Sequence, residues 1–285
     1  MASDKYSVMD YDMSNTTAGS EYSDAPATVS PALRNYLRWQ ISSINGYLKS
    51  LDARLIVALA GWQAGSKIAG GLAEIGVHHG KLFFLLALSR QAGEKSLAID
   101  LFEDDEMNAS TRFGGRSRAF SMHAASLNVN LEATEVLKAD SLTLNSNDIL
   151  SRIGRVRMFS VDGGHLYHHV AHDLPLAFST LAPGGVIIVD DFCNSEWPDV
   201  TAATYDFVRA QEGKIVPAIL TRNKLYLAPP ELASAYGEFA TRFAAGEKQI
   251  NGGLVEVMGR AVPYLTYSFK ARFIDEVRSR FSRRF

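Results

Sequence analysis

Short apolar runs that end in acidic residues recur along the central part of the chain and predict buried strands. The run 158–161 ends at Asp162, and the run 186–189 ends at Asp190 and Asp191. Between the two runs, apolar residues recur every four positions, which is the spacing of a helix that packs on a sheet. The order strand, helix, strand predicts two neighbouring parallel strands of an α/β domain.

The same alternation of strands and helices extends on both sides of this central pair. Apolar runs predict further strands at 70–77, 96–101, 134–139, 214–220 and 224–228. Helical spacing predicts helices after Ser30-Pro31, over 46–63, from residue 80, over 116–127 and over 200–211. A last helix is expected to end near residue 245, ahead of a glycine break at 252–253.

The apolar and polar patterns also suggest how the chain is organised. The N-terminal helices either cap the site or build a subunit interface. Two apolar stretches near the C-terminus, 254–258 and 261–267, have no place in the predicted sheet, so we expect a homo-oligomer that buries them. The expected segments are a flexible arm (1–30), N-terminal helices (31–64), the α/β domain (65–229) and a C-terminal extension (230–285).

Composition limits the partners that this chain is expected to have. With 285 residues and a net charge of −2, it gives no global argument for a nucleic acid or an anionic membrane as a partner. The longest apolar runs fall well short of the ~20 residues that span a bilayer. Cys193 is the only cysteine, and no secretory leader is visible at the N-terminus, so we expect a cytoplasmic protein.

The acidic strand ends predict a metal site. Ligands of open α/β sheets bind outside the carboxyl ends of parallel strands, so Asp162, His165, Asp190 and Asp191 should converge on one edge. Carboxylates beside an imidazole suit a divalent cation. The alternative is that these residues are ordinary solvated turn residues.

A second group of residues predicts a ligand that contains adenosine. Glu74, Gly76 and Gly80 lie at a strand-to-helix turn, where glycines admit a ligand to the helix N-terminus. Asp100 follows the next strand, about 20 residues on, where an acid can accept hydrogen bonds from a ribose diol. Asp140 and Ser141 end a third strand, beside the expected adenine ring. Purely structural turns would explain the glycines and Asp140 equally well.

Four histidines form a stripe at helical spacing after the first central strand. His165, His168, His169 and His172 are separated by one, three or four positions, so they could line one side of a helix. A zinc or iron site on this stripe is one interpretation. The other is that apolar residues of the same helix face the sheet, which leaves most of these histidines on the surface or at an interface.

The motifs AEIGVHHGKL, AIDLFEDD, SVDGGHLYHHVAHDL and LAPGGVIIVDDF together resemble the metal-dependent branch of class I S-adenosylmethionine-dependent methyltransferases. That branch includes macrolide-sugar O-methyltransferases and cephalosporin hydroxylase-like proteins, and the resemblance covers residues 65–229. It implies a Rossmann-like, seven-stranded, mostly parallel sheet with one reversed strand and helices on both faces. With the flanking segments, we expect N- and C-terminal helical extensions.

The resemblance also implies an activity, namely O-methylation of a hydroxyl group on a sugar or a glycosylated small molecule. His165 matches the proposed general base, and Asp162, Asp190 and Asp191 match the ligands of a divalent metal, Mg²⁺ being expected. A catechol-type O-methyltransferase, or a non-methylating member of the fold, is the alternative. The positions that match S-adenosylmethionine-binding residues are Glu74, Gly76, Gly80, Asp100, Asp140 and Ser141.

Overall fold

The computed structural model describes residues 30–102 and 116–268, which build a mixed α/β fold on one large sheet. The expected N-terminal arm up to residue 29, the loop that follows Phe102 and the basic C-terminal end lie outside the described residues. The strands are β1 Gly71–Ile75, β2 Ser96–Asp100, β3 Thr134–Lys138, β4 Val156–Val161, β5 Leu181–Val189, β6 Val216–Thr221, β7 Leu225–Ala228, β8 Ile250–Val257 and β9 Arg260–Tyr267.

Helices cover both faces of this sheet, as predicted. Among the described residues, none of them is long and apolar enough to cross a lipid bilayer. They are α1 Pro31–Asn35, α2 Ser50–Gly65, α3 Lys81–Leu88, α4 Arg116–Ser126, α5 Ser146–Ile153, α6 Tyr167–Thr180, α7 Pro198–Ala210 and α8 Pro230–Ala245. After α1 the chain continues through a π-helical turn at Tyr36–Gln40 and a 3₁₀ turn at Ile41–Ser43, and a third short turn spans Ser141–Thr143.

The first seven strands have the predicted arrangement, whereas the sheet as a whole has nine strands. The order is β3-β2-β1-β4-β5-β7-β6-β9-β8. Neighbours from β3 through β5 run parallel, and β7 is antiparallel to both β5 and β6, so it is the one reversed strand of the seven. This mixed sheet with helices on both faces confirms the predicted Rossmann-like class.

The predicted C-terminal helix is present as α8, but two strands that were not predicted follow it. After α8, the stretches 254–258 and 261–267 form the antiparallel pair β8–β9, and β9 joins the edge of β6 in parallel. The glycines at 252–253 lie inside β8 rather than in a break. The free hydrogen-bonding edge of β6 gives these apolar stretches a place in the sheet. These stretches therefore no longer argue for a homo-oligomer, which remains a prediction.

One helix, α5, escaped the sequence analysis although it carried a local signal. Asn145 accepts a hydrogen bond from the Asn147 backbone N–H, and the Asp148 side chain accepts one from the Asn145 backbone N–H. This reciprocal arrangement satisfies backbone donors at the start of a helix. Ile149 and Ile153, four residues apart, then bury the inner face. The spacing of Asn145 and Asp148 would have predicted this start.

The two layers of helices bury separate apolar cores on opposite faces of the sheet. One core lies under α2, α3, α4 and α8, and the other lies under α5, α6 and α7. Helix α2 belongs to the first layer, since Leu55, Ile56 and Leu59 have no exposed surface. The N-terminal segment therefore packs on the same face of the sheet as α3 and α8.

A buried ion pair ties β4 to the helices above it. Arg157 is completely buried and makes two hydrogen bonds to Glu94, from Nε (2.7 Å) and from Nη2 (2.9 Å). Its Nη1 atom also donates to Gln63 Oε1 on α2, at 2.8 Å. Two parallel bonds between a guanidinium and a carboxylate fix geometry as well as charge.

Replacing Glu94 by alanine should therefore strongly destabilise the fold. The change leaves a buried guanidinium without its carboxylate, which costs about 3–5 kcal/mol in such pairs. Urea unfolding measures this free energy. The control is Lys95→Ala, which breaks the more exposed contact of Lys95 with Glu135 (44% and 34% exposed) and should cost less than about 1 kcal/mol. Equal losses in the two variants would contradict the role given to Glu94.

A carboxyl group on α2 makes stability depend on pH. Asp52 is 2% exposed, and burial raises its pKa from 3.8 to about 6, although the Lys224 charge and a Thr221 hydrogen bond oppose the shift. The folded protein thus keeps the proton to a higher pH than the unfolded chain. Stability from this group is fully present below about pH 4 and decreases as the pH rises through about 6.

Asp52→Asn should consequently gain stability relative to the wild type as the pH rises. The change in its relative free energy of unfolding between pH 4.5 and pH 7.5 should be about 2 kcal/mol, because the neutral amide has no ionisation cost. Urea unfolding at both pH values tests this. Glu238→Gln, on the exposed surface of α8, should show no comparable gap, and a similar gap in both variants would rule out Asp52 as the source.

Candidate active site

The carboxyl ends of five neighbouring parallel strands carry the residues that the sequence analysis selected. The strand order reverses at β1, since the chain proceeds to β2 and β3 on one side and to β4 and β5 on the other. Ligands of open α/β sheets bind at such a switch point. Along the edge from β3 to β5, the residues that follow the strands are Asp140, Asp100 at the strand end itself, Gly76, Asp162 and Asp190.

The strand register aligns part of this edge into one row. Ile75 pairs with Val161, Val161 pairs with Val189, and Val189 pairs with Leu225 on the reversed strand β7. Continuing each pairing by one residue gives the next row. Its members are Gly76, Asp162, Asp190 and Lys224.

Lys224 is a functional candidate that the sequence analysis missed. Its Nζ atom forms an ion pair with Asp190 Oδ2, and the two side chains are 2% and 7% exposed. Burial by itself would lower the pKa of Lys224, but the carboxylates of Asp190, Asp162 and Asp52 raise it above its ordinary value. Lys224 is therefore a charged ammonium paired with one of the predicted metal ligands. Only the reversed direction of β7 beside β5 indicated that Lys224 would reach this edge of the sheet.

Asp162, His165 and Asp191 form the one group of three or more potential metal ligands found among the described residues. Their candidate ligand atoms all lie within 4.8 Å of one another. His165 Nε2 is 2.9 Å from Asp191 Oδ2 and 3.7 Å from Asp162 Oδ1. All three side chains remain partly exposed, at 28%, 28% and 16%. The structure thus brings three of the four predicted residues together on an accessible surface.

Asp191 is held in place from two sides. Its backbone has a φ of 54°, a left-handed conformation that is uncommon for a residue with a side chain and turns the chain sharply after β5. Its Oδ1 atom accepts hydrogen bonds from Asn194 Nδ2 (2.8 Å) and Asn223 Nδ2 (2.7 Å). Burial would raise the pKa of Asp191, but the hydrogen bonds from His165 and the two asparagines lower it. Asp191 is therefore an ionised acceptor.

The two carboxylates of this group, Asp162 and Asp191, fit a divalent cation, and His165 lies beside them. A central ion about 2.0–2.2 Å from two carboxylate oxygens places them roughly 3–4 Å apart, and the candidate ligand atoms of Asp162 and Asp191 lie within 4.8 Å of each other. Burial, followed by the charge of Asp190, raises the pKa of Asp162 well above its ordinary value. A cation would favour the ionised form of this carboxyl group. The carboxylate of Asp190, by contrast, is already paired with Lys224.

Glu74 lies on β1 two residues before Gly76, so it belongs to the same face of the sheet as the row that contains Gly76. It is 2% exposed, and burial raises its pKa well above the ordinary value while Lys224 opposes the shift. Its Oε2 atom is buried without a hydrogen-bond partner among the described residues. A buried acceptor of this kind fits a ligand that brings its own donor group.

Asp100 and Asp140 both hold local backbone in place. The His78 backbone N–H donates to Asp100 Oδ2 (2.7 Å), and the Phe102 backbone N–H donates to Asp100 Oδ1 (2.8 Å). Asp100 therefore joins the turn after β1 to the turn after β2, and each oxygen keeps a lone pair for a diol. Asp140 Oδ1 accepts from the Leu142 backbone N–H at 3.0 Å, while Ser141 is buried in the same 3₁₀ turn.

The two glycines of the first turn have a packing role. Gly76 has a φ of 86°, and a Cβ atom there would lie 1.7 Å from the carbonyl oxygen of Asp162. Gly80 has a φ of 92°, and its Cβ would lie 2.3 Å from the ring of Phe84. The absence of side chains thus allows the turn after β1 to pack directly against the turn after β4. This supports the structural interpretation of the glycines and leaves their role toward a cofactor a prediction.

The remaining histidines of the stripe do not gather into a second metal site within the described parts of the chain. The rings of His168 and His169 lie 4.0 Å apart, and His172 Nδ1 is 3.3 Å from Asp173 Oδ1. His165 stands apart because its ring stacks on Trp197, with centroids 4.5 Å apart and planes at 30°. Trp197, directly before α7, therefore lies against His165, and it was not selected from sequence.

One comparison with known proteins matches the part of the chain that carries this site. Residues 73–192 match a family model described as a methyltransferase domain, a range that begins within β1 and ends at Phe192, directly after Asp191. It therefore includes every residue that the sequence analysis proposed for the cofactor, the metal and the base. No curated protein sequence matches the chain.

Several solved structures are similar to this one at low sequence identity. The O-methyltransferase NovP is 17% identical, with a TM-score of 0.49 over 62% of this chain and 80% of that one. CalS11, a TDP-rhamnose 3'-O-methyltransferase of calicheamicin biosynthesis, is 16% identical, with a TM-score of 0.48 over 68% and 86%. An O-methyltransferase from Bacillus cereus is 14% identical, with a TM-score of 0.42 over 82% and 88%.

The family model and the sequence motifs fall on the same part of the chain. The matched range contains the strand-end acids, the glycine turn and the topological switch point in their predicted order. Residues 73–192 thus match a methyltransferase domain, as the sequence motifs predicted for this part of the chain.

Proposed function

We propose that this protein is an S-adenosylmethionine-dependent and divalent-metal-dependent O-methyltransferase that acts on a hydroxyl group of a sugar or a glycosylated small molecule. The observation that carries the proposal is the convergence of Asp162, His165 and Asp191 beside the glycine turn of β1. This is where two neighbouring strand ends and the expected cofactor turn adjoin. Mg²⁺ is the expected ion, as the sequence resemblance implies.

The chain offers separate groups for the cofactor and the metal. Glu74, with its unpaired oxygen, and Asp100, with its remaining lone pairs, would receive donor groups of the cofactor. Asp162 and Asp191 would hold the ion, and Asp190 is the third predicted ligand. When bound, the cofactor supplies the methyl group, and the ion orients the acceptor hydroxyl and favours its deprotonation.

His165 is the proposed general base, and its surroundings fit that role. When its Nε2 atom donates a proton to Asp191 Oδ2, at 2.9 Å, a neutral ring keeps a lone pair on Nδ1. Asn194 and Asn223 hold Asp191 from its other oxygen, so the orientation of the imidazole is fixed indirectly by two amides. Stacking on Trp197 restricts the ring further and shields it from water on one side. A base oriented in this way accelerates proton removal by about 10²–10⁴-fold.

Methyl transfer should occur to glycosides and should require a metal. The assay measures transfer from labelled S-adenosylmethionine to a panel of methyl glycosides and catechols, with EDTA, and with Mg²⁺ or Mn²⁺ added back in excess. We expect glycoside methylation that EDTA abolishes and the ion restores. Undiminished transfer in EDTA would overturn the metal requirement, and transfer to catechols alone would favour the catechol-type alternative.

His165→Ala should lose about 10²–10⁴ in turnover while cofactor affinity remains, because the base acts on the acceptor and not on the cofactor. Turnover and calorimetric S-adenosylmethionine binding should be measured together. His168→Ala is the matched control, since His168 lies on the same stripe, is exposed and is outside the ligand group. If His165→Ala stayed active, or if both variants lost activity equally, the base would have to be another group.

A further inference from the structure

Lys224 places a fixed positive charge where the proposed function requires a divalent cation to bind. Its ammonium pairs with Asp190, which is one of the three carboxylates predicted to hold the metal. A lysine in such a place competes with the ion in two ways. Its ammonium pairs with the Asp190 carboxylate, which could otherwise bind the ion. It also repels a second cation at short range.

The backbone leaves Lys224 little freedom to move away. The register of β5 and β7 sets Lys224 directly across from Asp190, one residue beyond the pair Val189–Leu225. The Lys224 backbone N–H donates to Thr221 Oγ1, and the Thr221 backbone N–H donates to the Lys224 carbonyl, so the turn between β6 and β7 is closed on itself. The carboxyl group of Asp52 on α2 is near enough to interact with the charge of the buried ammonium.

Asp190 and Asp191 are consecutive in sequence but have opposite environments. Asp190 is 7% exposed and contacts the buried ammonium, and its Oδ1 atom also accepts from the Asp191 backbone N–H at 2.8 Å. Asp191 is 16% exposed and faces His165. Asp190 is thus buried against a positive charge, whereas Asp191 and Asp162 belong to the accessible ligand group.

We propose that Lys224 is a built-in cation that holds Asp190 out of the metal site, so that Asp162 and Asp191 are the carboxylate ligands and the affinity for a divalent ion is kept low. This inference rests on the proposed metal dependence and assigns Lys224 as a positioning residue. A purely structural counter-ion would affect only the stability of the fold. The proposed role also predicts a change in metal affinity that depends on Asp190.

The test measures Mn²⁺ binding to the full-length protein. The electron paramagnetic resonance signal of the free ion reports how much Mn²⁺ stays unbound. Lys224→Met removes the competing charge and frees Asp190, so its Mn²⁺ affinity should rise at least about tenfold. Lys224→Arg keeps the ion pair and should stay within about threefold of the wild type. The double variant Lys224→Met/Asp190→Asn has the same net charge as the wild type, and it should lose the gain because the freed ligand is gone.

Thermal melting of each variant shows whether it is folded, and Lys224→Gln replaces Lys224→Met, with the same expectation, if the methionine variant does not fold. An unchanged affinity in the single variant, or a gain that persists in the double variant, would overturn the role of Lys224 while leaving the proposed function intact. If Lys224→Met binds Mn²⁺ and the wild type does not, the result would support the role of Lys224 and overturn the metal requirement. Absence of binding in every variant would overturn both.

Discussion

The buried ion pair between Lys224 and Asp190 is the interaction on which the active edge of this protein depends. A row of carboxyl groups at neighbouring strand ends cannot all be ionised inside a protein unless a positive charge lies among them. Lys224 supplies that charge because β7 is antiparallel to β5. The residue that precedes a parallel strand would lie at the opposite edge of the sheet. The Lys224 ammonium therefore reaches the strand-end carboxylates only because β7 runs in the reverse direction.

The pair also explains why the chain needs two consecutive aspartates. Asp190 continues the strand and satisfies the buried ammonium, whereas Asp191 adopts a left-handed backbone conformation and turns toward His165. Two hydrogen bonds from asparagine side chains then keep Asp191 ionised and oriented. One acid thus stabilises the interior, and the other is available for chemistry. The strain of the left-handed residue, of the order of 1 kcal/mol or more, is balanced by these bonds.

Close packing of the turns brings the two halves of the site together. Gly76 lets the turn after β1 lie against the backbone of Asp162, so groups expected for the cofactor and groups expected for the metal belong to one rigid surface. Asp100 fastens the turn after β2 to the same surface through the His78 backbone. A transfer reaction between two bound molecules needs this kind of fixed distance, because misplacement of either by about 1 Å is costly in rate.

Much of this architecture could be predicted from local sequence patterns. Apolar runs that end in Asp100, Asp162 and Asp190 predicted strands and their carboxyl edge, because a buried strand and its polar terminus are properties of a few adjacent residues. The motifs around Glu74, Asp100, Asp162 and Asp190 predicted the methyltransferase class, which the family model confirms. Even α5, which was missed, had a local capping signal in Asn145 and Asp148.

Other features became visible only in the tertiary structure, because they depend on which distant segments become neighbours. Lys224 was only the first residue of a predicted strand until the strand register set it across from Asp190. Two apolar stretches that seemed to require a partner subunit form β8 and β9 on the edge of β6. The sequence by itself determined the strand-end acids and the class of the domain. Only the pairing of strands decided that Asp190 is neutralised inside the protein and that Asp191, beside His165, is open to a ligand. That difference depends on strand direction and burial, and neither is a property of local sequence.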